Sequence, residues 1–288
     1  MVDGLIRLTE SQYVTQCIEN QRLSKRLQMM PEAGSNTPPP LSRPKLSVVV
    51  IVHNMVREAP RTLHSLSADY QEKIDIFEYE VIVVENSSWA PLPQTVISGL
   101  PENFHHYYLE EKNHSPAHAV NFGLSRARGE LIGVMIDGAR IATPGLLSYA
   151  LKGASLYPRT VVFCLSWLLG PAIQNCSMLE GYDTEVEDRL LKDIDWPGNG
   201  YRLFEIGVLA GSNSGGWFGP NMESNALFMP CGLWDELDGM DEGFDVAGGG
   251  FVNPDTYIRA VELEDTELVV IAGEATFHQV HGGDIFGL

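Results

Sequence analysis

Three places in this chain combine residue types that could do chemistry. The first is Asp137, in "MIDGAR" (135–140), where an acid leaves the apolar run "GELIGVM" and meets a glycine. A single carboxylate at a strand end can hold a hard divalent cation, which keeps some waters and takes substrate phosphates as its other ligands. An Asp-Gly pair also makes a turn that needs no ligand. The second place is "FHQVHGG", with His278 and His281. In a continuing strand, residues three apart point to opposite faces. The two rings can converge only if the strand has ended, which Gly282-Gly283 allows. At most one is then expected to bind metal, with His281, beside the glycines, favoured. The third is "GGGFVNPDTYIRA" (248–260). Asn253 reads as a helix N-cap, Pro254 as the first helical residue, and Asp255 as a first-turn acid paired with Arg259. The same placement would let Asp255 accept a proton from an acceptor hydroxyl.

Something must position these groups. "LSVVVIV" (46–52), "YEVIVVEN" (79–86), "HHYYLE" (105–110) and "ELIGVMID" (130–137) read as strands. "REAPRTLHSLSADY" (57–70) and "SPAHAVNFGLSRARG" (115–129, closed by Gly129) read as helices between them. Strands alternating with helices imply an α/β fold with a mostly parallel central sheet and helices on both faces. Ligands of such sheets sit beyond the carboxyl ends of the strands. His53, Asn54, Glu85, Asn86, Ser88 and Asp137 all follow strand ends, so one crevice should gather them. Further on, a helix over 143–155, a strand over 160–169 and an acidic helix over 185–194 are expected. The loop "GSNSGGWFGPNMESN" (211–225) leads into "ALFMP", and a strand "ELVVIAG" follows the helix that starts at Pro254.

Composition narrows the chemistry. The 288 residues carry a formal net charge of -19, with 44% hydrophobic residues. So acidic a field repels nucleic acid and anionic surfaces, and an anionic substrate would need a local cation. Four cysteines without a C-x-x-C pair suggest neither structural zinc nor a disulfide scaffold. The opening residues do not read as a signal peptide, and no apolar run reaches the ~20 residues of a membrane helix. A cytoplasmic setting is the expectation. Residues 11–30 read as a helix and 31–40 as a proline-rich linker. Together 1–44 would form an N-terminal helical arm, a surface helix or a contact for a homo-oligomer. The "GSNSGG" loop lacks the G-K-[ST] ending of a P-loop, and no G-x-G-x-x-G follows the first strand.

In this order, "LSVVVIVHNM", "YEVIVVENSS" and "AVNFGLSRARGELIGVMIDGAR" resemble the family 2 glycosyltransferases of the GT-A fold. The resemblance implies a GT-A (Rossmann-like) single domain over 45–288, with a nucleotide-binding half about 45–140 and an acceptor half about 141–288. It implies transfer of a sugar from a nucleotide-diphosphate sugar to the hydroxyl of a glycan, lipid-linked or small-molecule acceptor, inverting and dependent on Mn or Mg. His53, Asn54, Glu85, Asn86, Ser88 and Asn121 would serve the nucleotide. Asp137 would hold the metal with His281, and with His278 beside it. Arg140 would touch the diphosphate. Trp217, Glu223, Asn225 and Asn253 would lie on the acceptor side, and Asp255 would be the general base. Two departures stand out: Ala139 replaces the second acid of a D-x-D motif, and Asn253 falls where an acid is common. They motivate the alternative of a non-catalytic sugar-nucleotide-binding or scaffolding protein. A sugar-1-phosphate nucleotidylyltransferase would carry a glycine-rich segment after the first strand, which "IVHNMVREAP" lacks.

Overall fold

The computed structural model describes residues 43–110 and 115–281. The expected N-terminal helix and linker lie outside the described residues. β1 (Leu46–Val52) is buried along its whole length, as is β2 (Tyr79–Asn86). Such continuous β-branched runs suit strands covered on both faces. β1 pairs in parallel with β2 and with β4 (Leu131–Met135), and β2 pairs in parallel with β3 (Phe104–Leu109). The crossovers are α1 (Ala59–Ser65), the short α2 (Gln94–Ile97) and α3 (Pro116–Arg126).

Beyond β4 come β5 (Arg140–Ala142), α4 (Leu146–Ala154), β6 (Thr160–Leu169), α5 (Gln174–Leu179) and α6 (Thr184–Asp193). β7 (Gly207–Leu209), β8 (Leu227–Pro230), α7 (Cys231–Leu237), α8 (Val252–Val261) and β9 (Glu267–His278) complete the described elements. The sheet order is β3-β2-β1-β4-β8-β6-β9-β5, with β7 on the side of β6. β8 is antiparallel to both of its neighbours, and β9 is parallel to β6. Hence β1, β2, β3, β4, β6 and β9 run one way, and β8 is a reversed strand set into the middle. It arrives from the long loop after β7 rather than through a helical crossover, which a parallel neighbour requires. β5 and β7 are short reversed strands on β9 and β6.

Alternation along β1 divides the core. Val48, Val50 and Val52 join one cluster with residues of α1 and α4, while Val49 and Ile51 join another with residues of α3, α7 and α8. The sheet is therefore covered on both faces, as the sequence implies.

Three boundaries differ from the sequence reading. α3 stops at Arg126, because residues 127–129 run on into contact with β1 and Glu80. The Arg128 and Gly129 N–H groups donate to Ser47 Oγ, and Arg128 also bonds Glu80. α8 begins at Val252, two residues early, with Phe251 at its cap. Asn253 is thus inside the first turn, and its amide reaches outward rather than capping. β9 runs on to His278. Opposite a register shift between Phe163 and Leu165, Gly273 takes a φ of 87°, a bulge that an L side chain would resist.

Candidate metal and donor site

Asp137 sits in the tight link between β4 and β5. Its Oδ1 accepts the Ala139 N–H at 2.9 Å, so the Asp-Gly turn foreseen from the sequence forms. Gly138 is needed there by contact: a Cβ would lie 2.8 Å from the Ile51 carbonyl oxygen. The turn leaves Oδ2 free for other partners. β5 pairs with β9 so that Arg140 faces His278, directly after Asp137. His278 Nε2 lies 2.8 Å from Asp137 Oδ2, and Arg140 Nε lies 3.5 Å from the same oxygen.

β9 ends at His278, and the next three residues turn back. The Gln279 N–H donates to the Ala139 carbonyl, and the Val280 N–H donates to Glu187 Oε2. Arg57 binds that segment from the other side, donating to the Val280 carbonyl at 3.1 Å and to Glu187 Oε1 at 3.1 Å. The turn brings His281 Nε2 within 3.2 Å of His278 Nε2. Ligand atoms of Asp137, His278 and His281 all lie within 4.8 Å of one another. The sequence reading allowed one histidine at this point; the structure brings both.

These residues fit a divalent cation. His278 Nδ1 lies 2.8 Å from Gln174 Oε1, and its Nε2 faces Asp137 and His281. Burial pushes the His278 imidazole below its ordinary value, against the opposing pull of Asp137. Burial alone would push the Asp137 carboxyl up, but His278, Arg140 and His281 outweigh it and hold it well below the usual carboxylate range. One carboxylate and two imidazoles suit a transition ion such as Mn²⁺ better than Mg²⁺, which prefers oxygen ligands.

Arg140 is 8% exposed. Its Nη1 donates to Ser166 Oγ at 2.7 Å, while its buried Nε makes no hydrogen bond. Burial pulls the guanidinium down, and the charges of Asp137 and then Glu223 hold it up. An arginine in such surroundings stays a cation at neutral pH, so an acidic protein here keeps a buried positive charge.

Glu223, Asn225 and Asn253 are gathered in a second group. Asn253 Nδ2 donates to Glu223 Oε2 at 3.0 Å and to Asn225 Oδ1 at 3.2 Å. Asn213 ties this group to the first. Its Oδ1 accepts the Ser166 N–H at 2.7 Å, and its Nδ2 donates to the Glu223 carbonyl at 3.0 Å. Trp217 is part of a 3-10 turn (Gly216–Phe218) in the same loop.

The residues expected at the nucleotide are framing groups. His53 Nδ1 lies 2.6 Å from the Asn86 carbonyl, and Asn54 Nδ2 lies 2.9 Å from His53 Nε2. Asn54, at a φ of 55°, gives its N–H to Ser88 Oγ and accepts from Trp89 and Ala90 N–H. Asn86 Nδ2 donates to the Ser115 carbonyl. Glu85, at 1% exposure, accepts the Leu92 N–H with one oxygen and meets His106 with the other. Asn121 is engaged within the protein. Its amide exchanges two hydrogen bonds with Met240 and donates to Glu242, clamping the loop after α7. Asp255 accepts from Arg259 Nε at 2.7 Å, the pair expected from the sequence, and that guanidinium also donates to the Leu237 and Gly239 carbonyls.

Sequence reasoning missed Ser166, Asn213, Gln174, Arg57 and Glu187. Each acts through a partner far along the chain, and none lies in a motif. It also missed Trp89, 83% exposed beside Asn54 at the strand-end crevice.

Residues 47–166, from β1 through Asp137 into β6, match the model of glycosyl transferase family 2. No curated protein sequence matches the chain. Among solved structures, S. aureus TarS 1-349 in complex with UDP-GlcNAc superposes with a TM-score of 0.54 at 18% identity, covering 83% of this chain and 59% of that one. The larger S. aureus TarS structure has the same score and identity, and this chain spans only 37% of it. The mannosyltransferase PcManGT from Pyrobaculum calidifontis, in complex with GDP-Man and Mn²⁺, gives 0.52 at 17% identity, over 94% of this chain and 66% of that one. Residues 47–166 thus resemble glycosyl transferase family 2, and the chain carries a GT-A fold of the kind these structures share.

Proposed function

We propose that the chain transfers a sugar from a nucleotide-diphosphate sugar to an acceptor hydroxyl with inversion, in a divalent-metal-dependent reaction. The observation that carries this reading is the meeting of Asp137, His278 and His281 beside Arg140, beyond the end of β4. Asp137, His278 and His281 would hold the cation, and a bound cation would supply positive charge to the diphosphate oxygens. Arg140 adds a fixed charge from the protein itself. Its guanidinium is held by Ser166 and already desolvated, so little reorganisation is needed as negative charge develops on the leaving diphosphate. The acceptor oxygen bonds to the anomeric carbon as the bond from that carbon to the diphosphate oxygen breaks. The acceptor proton passes to a carboxylate of the protein. The hydrogen-bonded frame of His53, Asn54, Asn86 and Ser88 keeps the ends of β1 and β2 open as the nucleotide crevice, with Trp89 on its rim.

The GT-A neighbours solved with UDP-GlcNAc and with GDP-Man and Mn²⁺ support the donor class. Among the described residues no helix is long and apolar enough to cross a membrane, and we place the reaction in the cytoplasm. The test is release of nucleoside diphosphate from UDP-GlcNAc and GDP-mannose with Mn²⁺, with and without EDTA. Turnover that stops in EDTA and returns with Mn²⁺ is the expected result. Undiminished turnover in EDTA would remove the metal from the mechanism. Donor binding without turnover over any acceptor would establish the non-catalytic alternative that Ala139 and Asn253 suggest.

A further inference from the structure

A transfer of this kind needs a carboxylate that is partly exposed, oriented and not already neutralised by a cation. The carboxylates in and around the site divide clearly on that criterion. Asp137 belongs to the cation cluster. Glu187 is buried on Arg57, Tyr182 and the Val280 N–H. Glu274 is buried on Thr143, the Gly145 N–H and Tyr201. Asp255 is paired with Arg259. Glu223 differs from all of these. It is half-buried, makes no ion pair among the described residues although its charge helps to hold up the Arg140 guanidinium, and has one carboxylate oxygen fixed by the Asn253 amide at 3.0 Å.

We propose that Glu223 is the catalytic base that takes the acceptor proton, and that Asn253 is the positioning residue that orients it. This inference rests on the transferase reading above. Its geometry is a chain of hydrogen bonds through one residue of β6. Arg140 donates to Ser166 Oγ, the Ser166 N–H donates to Asn213 Oδ1, and Asn213 Nδ2 donates to the Glu223 carbonyl. Glu223 and Arg140 are thereby linked through Ser166 and Asn213. An amide at position 253 cannot take a proton at neutral pH, but its N–H stabilises an ionised carboxylate and fixes the direction of its free oxygen. The two ends of the displacement then have separate holders. The departing diphosphate faces Arg140 and the cation ligands, while the acceptor hydroxyl gives its proton to Glu223 as its oxygen bonds to the anomeric carbon.

The experiment uses the full chain with Mn²⁺ and the two probe donors, UDP-GlcNAc and GDP-mannose, with water as acceptor. It reads kcat, donor KM and melting temperature. Glu223→Gln is expected to lower kcat by about 100-fold, the scale of general-base catalysis, with donor KM and melting temperature unchanged. Glu223→Asp, which keeps a carboxylate, should recover part of kcat. Asn253→Ala should lower kcat by about tenfold without moving donor KM, since orientation alone is lost. Glu223→Gln turning over within about threefold of the parent, well short of that scale, overturns the assignment. So does a folded Glu223→Asp as inactive as Glu223→Gln, or a folded Asp255→Asn that loses as much kcat as Glu223→Gln. If the parent chain neither binds nor turns over either donor with Mn²⁺, the transferase reading fails and this inference falls with it. Turnover by the parent separates the two failures.

Discussion

At the scale of single residues, the Asp137–His278 pair carries the clearest consequences. His278 has a folded-state pKa below its ordinary value, because burial disfavours the charged ring. The unfolded chain therefore takes up this proton first, and stability is lost as pH falls below about 6.5. Asp137 acts in the same direction lower down, since its depressed pKa contributes stability that is lost as pH falls below about 3.9. Glu187, raised by burial, opposes them, because its term weakens the fold as pH rises above about 4.3. The metal-free chain is expected to melt at lower temperature at pH 5.5 than at pH 7.5, and His278→Ala should flatten that slope. An unchanged slope in the variant would remove His278 as its source. Mn²⁺ should raise the melting temperature of the parent at neutral pH, and Asp137→Asn or His278→Ala should abolish that rise.

At the scale of elements, the cation cluster depends on two chain segments meeting. Pairing of β5 with β9 brings Arg140 against His278, and the turn after β9 brings His281 back. That turn is held by Arg57 and Glu187, which reach it from beside α1 and from α6. Removing Arg57 would leave the buried Glu187 and Glu58 carboxylates without their cation. Breaking a buried pair in this way costs about 3 kcal/mol. Arg57→Ala is therefore expected to lower stability in denaturant titration by that order, and to weaken Mn²⁺ binding in calorimetry although Arg57 is no ligand. Loss of stability with unaltered Mn²⁺ affinity would show that the turn holds its shape alone. The sheet interior offers an independent check. A Cβ on Gly133 would enter the Phe228 ring of the reversed strand β8. Gly133→Ala should cost about 1–3 kcal/mol by overpacking.

For the whole molecule, charge is the governing quantity. With the proposed donor, itself an anion, a net charge of -19 works against the approach. The proposed cation site and Arg140 would attract the diphosphate at close range, but the far field repels it. Raising ionic strength shortens the screening length from about 30 Å at 0.01 M to about 8 Å at 0.15 M. With Mn²⁺ saturating, the donor association rate should therefore rise with salt over that range, the reverse of a positively steered enzyme. A rate that falls with salt, measured by stopped flow, would mean that local positive charge dominates the approach.

The sequence by itself determined the long buried strands, because β-branched runs such as "LSVVVIV" have few stable alternatives to burial in a sheet, whereas the short β5 and β7 were not legible. It also determined that Asp137 leaves the end of one such strand beside a glycine. The reversed direction of β8 was not legible, since four apolar residues carry no information about which way they run. Nor was the fate of the polar residues after the strands. Glu85, Asn121 and Asp255 have the types and positions of ligands, yet each is satisfied inside the protein by a partner that only the fold supplies. The same physics works in the other direction for His278, His281, Glu223 and Asn253. Hydrogen bonds and charge pairs act over a few ångströms, and Asp137 is brought to His278, and Glu223 to Asn253, across long stretches of chain. Burial patterns are written locally and can be read from a sequence. Polar partnerships are decided by where the chain returns, which here only the tertiary structure decided.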